Sequence, residues 1–418
     1  MEKTALSIVW VLAWALPWPG GAAEIPAAGC PGPGNTIRWE QIKRLAERDP
    51  MLVESRLEIE AATGALQAAG QIPNPSLEAS LGRAAERTGD RRGAQWDLAL
   101  SFPLDWLSSR GPARRVGLAE VDAARARSGL VQREVLGRLS ELFWGLVLTQ
   151  ARLTALESLE KQAAALLSTV RMRVQKGESR PGELVRLEIE AERVAGEREV
   201  AGLTLQARRR QLAAWLGSPA CPLVAEADLW SVPRSSALQE AVARAQRGHP
   251  GIAAAAASVR ALESQLEVER RARIPALTLK AFTSSELDLR AFGGALSVAL
   301  PVWNWNGGRI VQAEGNLAAG KKRLESTDRQ LQAAIAEAHA ACLGSSALAT
   351  RMKDRVLPRS RSSAEVVERT YQLGEIGILD VIDAQRTLVE VNRQTMDALA
   401  EAHLQCGRLG ALIGEELP

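Results

Sequence analysis

Apolar and polar residues alternate at four short places in this chain, and long runs of helical period separate them. Leu77, Ala79 and Leu81 alternate with Glu78, Ser80 and Gly82. Trp96, Leu98, Leu100 and Phe102 alternate with Gln95, Asp97, Ala99 and Ser101. Leu277, Leu279 and Ala281 alternate with Thr278 and Lys280, and Leu296, Val298 and Leu300 with Ser297 and Ala299. A period of two predicts strands with one apolar and one polar face, over 75–83, 94–103, 275–283 and 293–302. The polar linkers AERTGDRRG and TSSELDLRAFG read as turns within each pair. Before each strand pair the pattern predicts a helix, over 37–70 and 236–271. After each pair come a proline, tryptophan and glycine, then a very long helix, about 112–175 and 309–372. At ~1.5 Å per residue such a helix reaches roughly 96 Å, beyond any globular core. A glycine break at Gly177 or Gly374 follows, and then a return helix. Val381, Ala384, Leu388, Val391, Thr395 and Ala398 form a seam of small residues in heptad spacing, suited to close helix packing.

The order of elements is the same in both halves, and so are landmark residues. Asp49-Pro50 returns as His249-Pro250, and Asn74-Pro75-Ser76-Leu77 as Ile274-Pro275-Ala276-Leu277, both 200 positions on. Gly111, Gly177 and Leu216-Gly217 return as Gly308, Gly374 and Ile413-Gly414, all 197 positions on. The reading is one structural unit used twice, over 37–217 and 236–414, joined by an equatorial linker, 218–235. Residues 24–36 and 415–418 read as a linker and a tail.

The start of the chain reads as a secretory signal over 1–23. Lys3 precedes the short apolar run Ala5 to Trp18, and Gly21-Ala22-Ala23 offers a small-residue cleavage site. No later stretch is long and apolar enough for a membrane helix. The 52 Lys and Arg against 49 Asp and Glu leave a net charge of +3, too even to suggest nucleic acid as a partner. Of the four cysteines, Cys30 follows Ala-Ala-Gly, a faint lipid-attachment signal that Glu24 and Pro26 weaken. Cys342 and Cys406 fall level in an antiparallel hairpin about Gly374; the expectation is close thiols without a bond, because helix axes sit ~8–10 Å apart. Whether Cys221 pairs with Cys30 is left open. The three histidines, His249, His339 and His403, are far apart in sequence, and no HExxH, phosphate-loop or paired-cysteine metal motif appears. The reading is not an enzyme, with no cofactor and no metal.

Four amphipathic strands cannot close a membrane barrel, since the smallest bacterial ones have about eight. Three copies would supply twelve strands, and beneath them a ring of helices. Trp96, Trp106, Trp303 and Trp305 flank the strands and suit an aromatic girdle; for the last three, ordinary packing at the strand-to-helix corner is the alternative.

These features resemble the TolC family of outer-membrane efflux proteins, in type the cobalt-zinc-cadmium branch. The resemblance spans about Thr36 to Gly414. It rests on the doubled plan, on Asn74-Pro75-Ser76-Leu77, and on Leu300-Pro301 with Trp303 and Gly307-Gly308. Its most specific part is Tyr371-x-x-Gly374 followed by Leu379-Asp380-Val381-Ile382-Asp383-Ala384-Gln385. It implies a mainly α fold with a small β part: a trimeric channel-tunnel with a 12-stranded β-barrel in outer-membrane lipid and an α-helical barrel in the periplasm. It also implies an exit duct for a tripartite pump, passing metal cations or small toxic compounds, with a periplasmic adaptor and an inner-membrane transporter as partners. The adaptor would meet the tips Lys176, Gly177, Glu178, Ser179 and Leu373, Gly374, Glu375, Ile376. Asp380 and Asp383 would narrow the periplasmic entrance. The first repeat carries Glu183 and Arg186 at the matching positions, and the arginine that some relatives carry near Ile376 is absent. A protein-secretion duct and a periplasmic coiled-coil adaptor are the alternative readings.

Overall fold

The computed structural model describes residues 35–85, 92–217, 221–286 and 289–414. The signal segment, Cys30 and the tail 415–418 lie outside the described residues. The first half runs β1 (Thr36–Ile37), α1 (Trp39–Ala46), α2 (Pro50–Ala69), β2 (Ser76–Ala85), β3 (Arg92–Pro103), α3 (Trp106–Gln175) and α4 (Pro181–Trp215). The second runs β4 (Val224–Ala225), α5 (Leu238–Gly248), α6 (Pro250–Arg271), β5 (Leu277–Glu286), β6 (Leu289–Val298), α7 (Gly307–Arg351), α8 (Leu357–Gln372) and α9 (Ile378–Ile413). The four positive-φ glycines, Gly177, Gly217, Gly374 and Gly414, fall at the matched positions of the two halves.

The helices expected over 37–70 and 236–271 are each broken in two. Pro50 and Pro250 open α2 and α6, where a missing N–H costs nothing. The residue before each proline caps the new helix: the Met51 N–H donates to Asp49 Oδ1 at 2.8 Å, and the Gly251 N–H to His249 Nδ1 at 3.0 Å. The opposite error occurs at Pro112, read as the start of the long helix. α3 begins six residues earlier and runs through Pro112 for 70 residues, about 105 Å. Proline at 112 leaves the Ser108 carbonyl without its helical donor, and the Arg271 guanidinium supplies one at 3.2 Å. The second long helix differs again. A π-turn at Met352–Val356 joins α7 to α8. Pro358 follows it, and its ring would crowd the Asp354 carbonyl in a regular helix, so the turn before it widens.

The sheet is four-stranded and antiparallel, in the order β2-β3-β5-β6. Its last strand ends at Val298, short of the expected 302, because Pro301 has no donor for the ladder. A parallel pairing of β1 with β4 ties the chain start to the linker. That linker straps the middle of the helices: Gln150 exchanges two hydrogen bonds with Ala225, at 2.8 and 3.1 Å, and Lys353 donates to the Trp230 carbonyl at 2.6 Å. The largest core lies beneath it, where Trp39 packs tilted on Phe143, Phe143 meets Trp144 edge-on, and Trp144 stacks on His403.

Cys342 and Cys406 form a disulfide with Cα atoms 4.6 Å apart, so the expectation of unbonded thiols is overturned. The reason is geometric. Facing Cα atoms stand ~2.3 Å off each axis toward one another, so axes ~8–10 Å apart bring them within bonding range. Cys221 is also disulfide-bonded.

Candidate functional site

Two places at opposite ends of the long helices carry the features singled out in the sequence. At one end is the sheet. Its register lines up the apolar residues across strands: Leu77 faces Leu100 and Leu100 faces Ala281, while Phe102 faces Leu279 and Leu279 faces Leu296. Directly opposed residues share a face, so four alternating strands combine into one apolar surface. Leu81 and Leu296 on it are exposed. The other face holds Glu78, Ser80, Asp97, Ser101, Lys280 and Ser284 by the same register. There Ser80 donates to Asp97 at 2.9 Å, and Lys280 lies 3.9 Å from Glu78. Phe282 and, at the hairpin end, Leu289 are large apolar exceptions; Phe282 lies over Gly293, where an added Cβ would come within 2.9 Å of its ring. The sheet thus has an apolar face, a polar face and, among the described residues, two unpaired edges, β2 and β6.

Trp96 sits on the apolar face of β3. Trp106 opens α3 with the Arg110 guanidinium 5.9 Å from its ring. Trp303 and Trp305 lie between β6 and α7, at 95% and 60% exposure.

At the far end α3 turns into α4, and α8 into α9. Both turns have the same construction. The Glu178 N–H donates to the Arg173 carbonyl at 2.8 Å and the Gly177 N–H to Val174 at 3.0 Å; Glu375 and Gly374 do the same to Thr370 and Tyr371, at 3.2 and 2.9 Å. These are Schellman closures, and each needs the left-handed residue that glycine supplies. Lys176, Gly177, Glu178, Leu373, Gly374 and Glu375 are exposed; Ser179 and Ile376 are half-buried. The two tips pack together through Val170, Leu187, Tyr371, Ile378, Val381 and Ile382. Arg173 lies over the Tyr371 ring at 5.2 Å.

Asp380 and Asp383 are exposed and line one groove between α8 and α9. Glu183 and Arg186 stand on α4. A clasp that the sequence reading missed lies farther up: the buried Glu190 of α4 accepts from Arg193 at 2.5 Å and from Arg386 of α9 at 2.6 Å. Burial alone would push the Glu190 carboxyl up; hydrogen bonds and charge from Arg193 and Arg386 overcome this and hold it at about 2. Glu190 and Arg386 lie 196 residues apart, and no local pattern announces the pair. Because the folded carboxyl titrates below its ordinary 4.5, the clasp stabilises fully above about pH 4.5 and is lost as pH falls toward 2. With its arginines partly in water, the contribution is about 1–2 kcal/mol. Glu190→Gln should therefore flatten the acid-side dependence of hydrogen exchange in α4 and α9 between pH 6 and 3; an unchanged profile contradicts this account.

The three histidines do not meet. His249 caps α6, His339 contacts the Ser236 carbonyl at 3.0 Å, and His403 is stacked on Trp144. Among the described residues no cluster suited to a metal ion occurs, and no helix is long and apolar enough to cross a membrane.

The profile of the family described as "Outer membrane efflux protein" matches residues 41–218 and again 241–415. The chain belongs to this family. Among outer membrane efflux proteins and their relatives, the pyoverdine export outer membrane protein OpmQ of Pseudomonas putida is 27% identical over 397 residues, covering 90% of this chain and 79% of that one. The cobalt-zinc-cadmium resistance protein CzcC of Cupriavidus metallidurans is 23% identical over 367 residues, covering 85% of each. The fold is that of the open-state MtrE outer membrane channel of Neisseria gonorrhoeae, with a TM-score of 0.76 at 19% identity over 91% of this chain and 89% of that one. It is also that of VceC from Vibrio cholerae, with a TM-score of 0.73 at 18% identity over 91% and 97%.

Proposed function

We propose that three copies of this chain assemble about an axis into a duct, with a 12-stranded barrel in the outer membrane and the helices below it in the periplasm. The observation that carries this reading is the open sheet: one continuous apolar face, with both edges unpaired among the described residues. The edges agree along the molecule's length. β2 continues from α2, and β6 leads into α7. Leu57 of α2, Ile189 and Leu203 of α4, Val311 of α7 and Val366 of α8 are apolar and exposed. Unlike edges meeting in sequence close a ring.

The two Schellman tips are the ends that meet a periplasmic adaptor, and an inner-membrane transporter feeds the duct through it. Asp380 and Asp383 narrow the mouth, with six carboxylates around the axis favouring cations. The cargo is small: metal ions or compact organic compounds. Relatives named for pyoverdine export and for cobalt-zinc-cadmium resistance support both. The duct performs no bond chemistry and needs no cofactor. Trp96, Trp106, Trp303 and Trp305 mark the barrel's rims.

Three experiments test the reading. Envelopes extracted in mild detergent should yield a heat-modifiable trimer in the outer-membrane fraction, and a lipid-indifferent monomer would overturn the proposal. Deletion of the gene followed by a panel of metals and drugs should reveal the cargo through lost resistance. Asp380→Asn with Asp383→Asn should keep the trimer but lower the K⁺/Cl⁻ permeability ratio of single channels several-fold, on the order expected for removing an acidic ring. Unchanged ion selectivity would remove these residues from the entrance.

A further inference from the structure

The groove that holds Asp380 and Asp383 also holds a cation. It runs between α8 and α9 with a volume of about 600 Å³, and Arg359 lines it beside Ser360, Ser363 and Thr387. Arg359 is exposed and makes no ion pair among the described residues. The Ser360 hydroxyl is buried without a hydrogen-bond partner. Helices α8 and α9 are antiparallel about Gly374, so position along the groove follows from distance to that turn. Asp380 and Asp383 lie six and nine residues beyond it, and Arg359 lies fifteen before it. At ~1.5 Å per residue, Arg359 stands about 9–14 Å deeper than the acid pair. That is close to a Debye length of ~8 Å at physiological salt, so each charge acts on a passing solute largely by itself.

We propose that this groove is a two-charge passage, with an anion-accepting ring of Arg359 behind the acidic mouth. The inference rests on the duct reading, in which the groove faces the axis and three copies of each charge surround it. The acid pair alone would admit cations and hold back anions. An arginine behind it gives an anionic group a partner after the mouth has been passed, with serine and threonine hydroxyls between the two. The solutes this arrangement suits carry both signs close together: zwitterions, and metal ions bound to a carboxylate or phosphate ligand. A bare cation meets attraction and then repulsion; a paired solute meets attraction twice.

The test uses the full-length trimer in planar bilayers at low salt, with inorganic phosphate added on the tip side as the anionic probe. Trimer migration on a gel establishes assembly of each variant. Arg359→Ala should raise the K⁺/Cl⁻ permeability ratio by about twofold or more and weaken phosphate block several-fold. Arg359→Lys, which keeps the charge, should restore both. The Asp380→Asn, Asp383→Asn pair should move the ratio the opposite way. If Arg359→Ala matches the unmodified protein while the aspartate pair shifts the ratio, the anion ring is wrong and the duct stands. If neither moves it, the axial placement of the whole groove is wrong, and the entrance assignment falls with it.

Discussion

Leu98→Arg should abolish the outer-membrane trimer, and Ala99→Arg, one residue away, should leave it in place. Leu98 faces Ala79 and Thr283 on the apolar side of the sheet; Ala99 faces Glu78 and Phe282 on the other. If the apolar side meets lipid, an arginine near mid-bilayer costs about 2–4 kcal/mol per chain, and three copies carry it together, about 6–12 kcal/mol per assembly. Arginine at 99 instead enters the wet side, opposite a carboxylate, where a pair of unlike charges is mildly favourable. Both variants introduce the same side chain and charge on the same strand, at neighbouring positions on opposite faces. Heat-modifiable migration of the outer-membrane fraction reads the result. Loss of the trimer in the Ala99 variant and its survival in the Leu98 variant would mean that the sheet is turned inside out.

That test is available because strand alternation is written directly into the chain. Period two needs no partner to be recognised, and the register aligns what each strand already shows. The turning glycines are equally local: Gly177 and Gly374 follow long helical runs, and their left-handed backbone is a property of one residue. What the sequence hid was long-range. Asp49-Pro50 and His249-Pro250 served as markers of the duplication, yet a helix-like pattern that continues on both sides masked their role as helix starts. Pro112 misled in the other direction, because the donor that rescues its turn is Arg271, far along the chain. The clasp at Glu190 depends on Arg386 in the same way. Glu190 reads as one more charge on a solvated helix until the second hairpin is laid beside the first. The acid pair stood out through a family pattern. Arg359 stood out through nothing, for only the antiparallel course of α8 and α9 brings it to the same groove.

The disulfide gives the other large effect. Hairpin arithmetic brought Cys342 and Cys406 level, and the structure joins them across a sequence separation of 64. Closing a loop of that size in the unfolded chain is worth about 4 kcal/mol on the chain-entropy scale. The bond lies in a small core of Ala241, Ala245, Leu331, Ile335, Leu409 and Ile413, where α5, α7 and α9 meet. It therefore pins the upper end of the second hairpin, while Glu190 and Arg386 tie that hairpin to the first one nearer the tip. Replacing both cysteines by serine should leave the fold and the trimer intact but lower the unfolding midpoint by several degrees. Serine also places a hydroxyl where Cys342 is fully buried, so part of the loss would come from the substituent. Reductant separates the two contributions. It should lower the midpoint of the unmodified protein toward that of the double variant, because both then lack the crosslink. On the variant itself, reductant acts only through the disulfide at Cys221, so the unmodified protein should lose more. Equal losses in the two proteins would mean that the Cys342–Cys406 bond contributes nothing measurable. Packing between α7 and α9 would then hold the hairpin closed unaided.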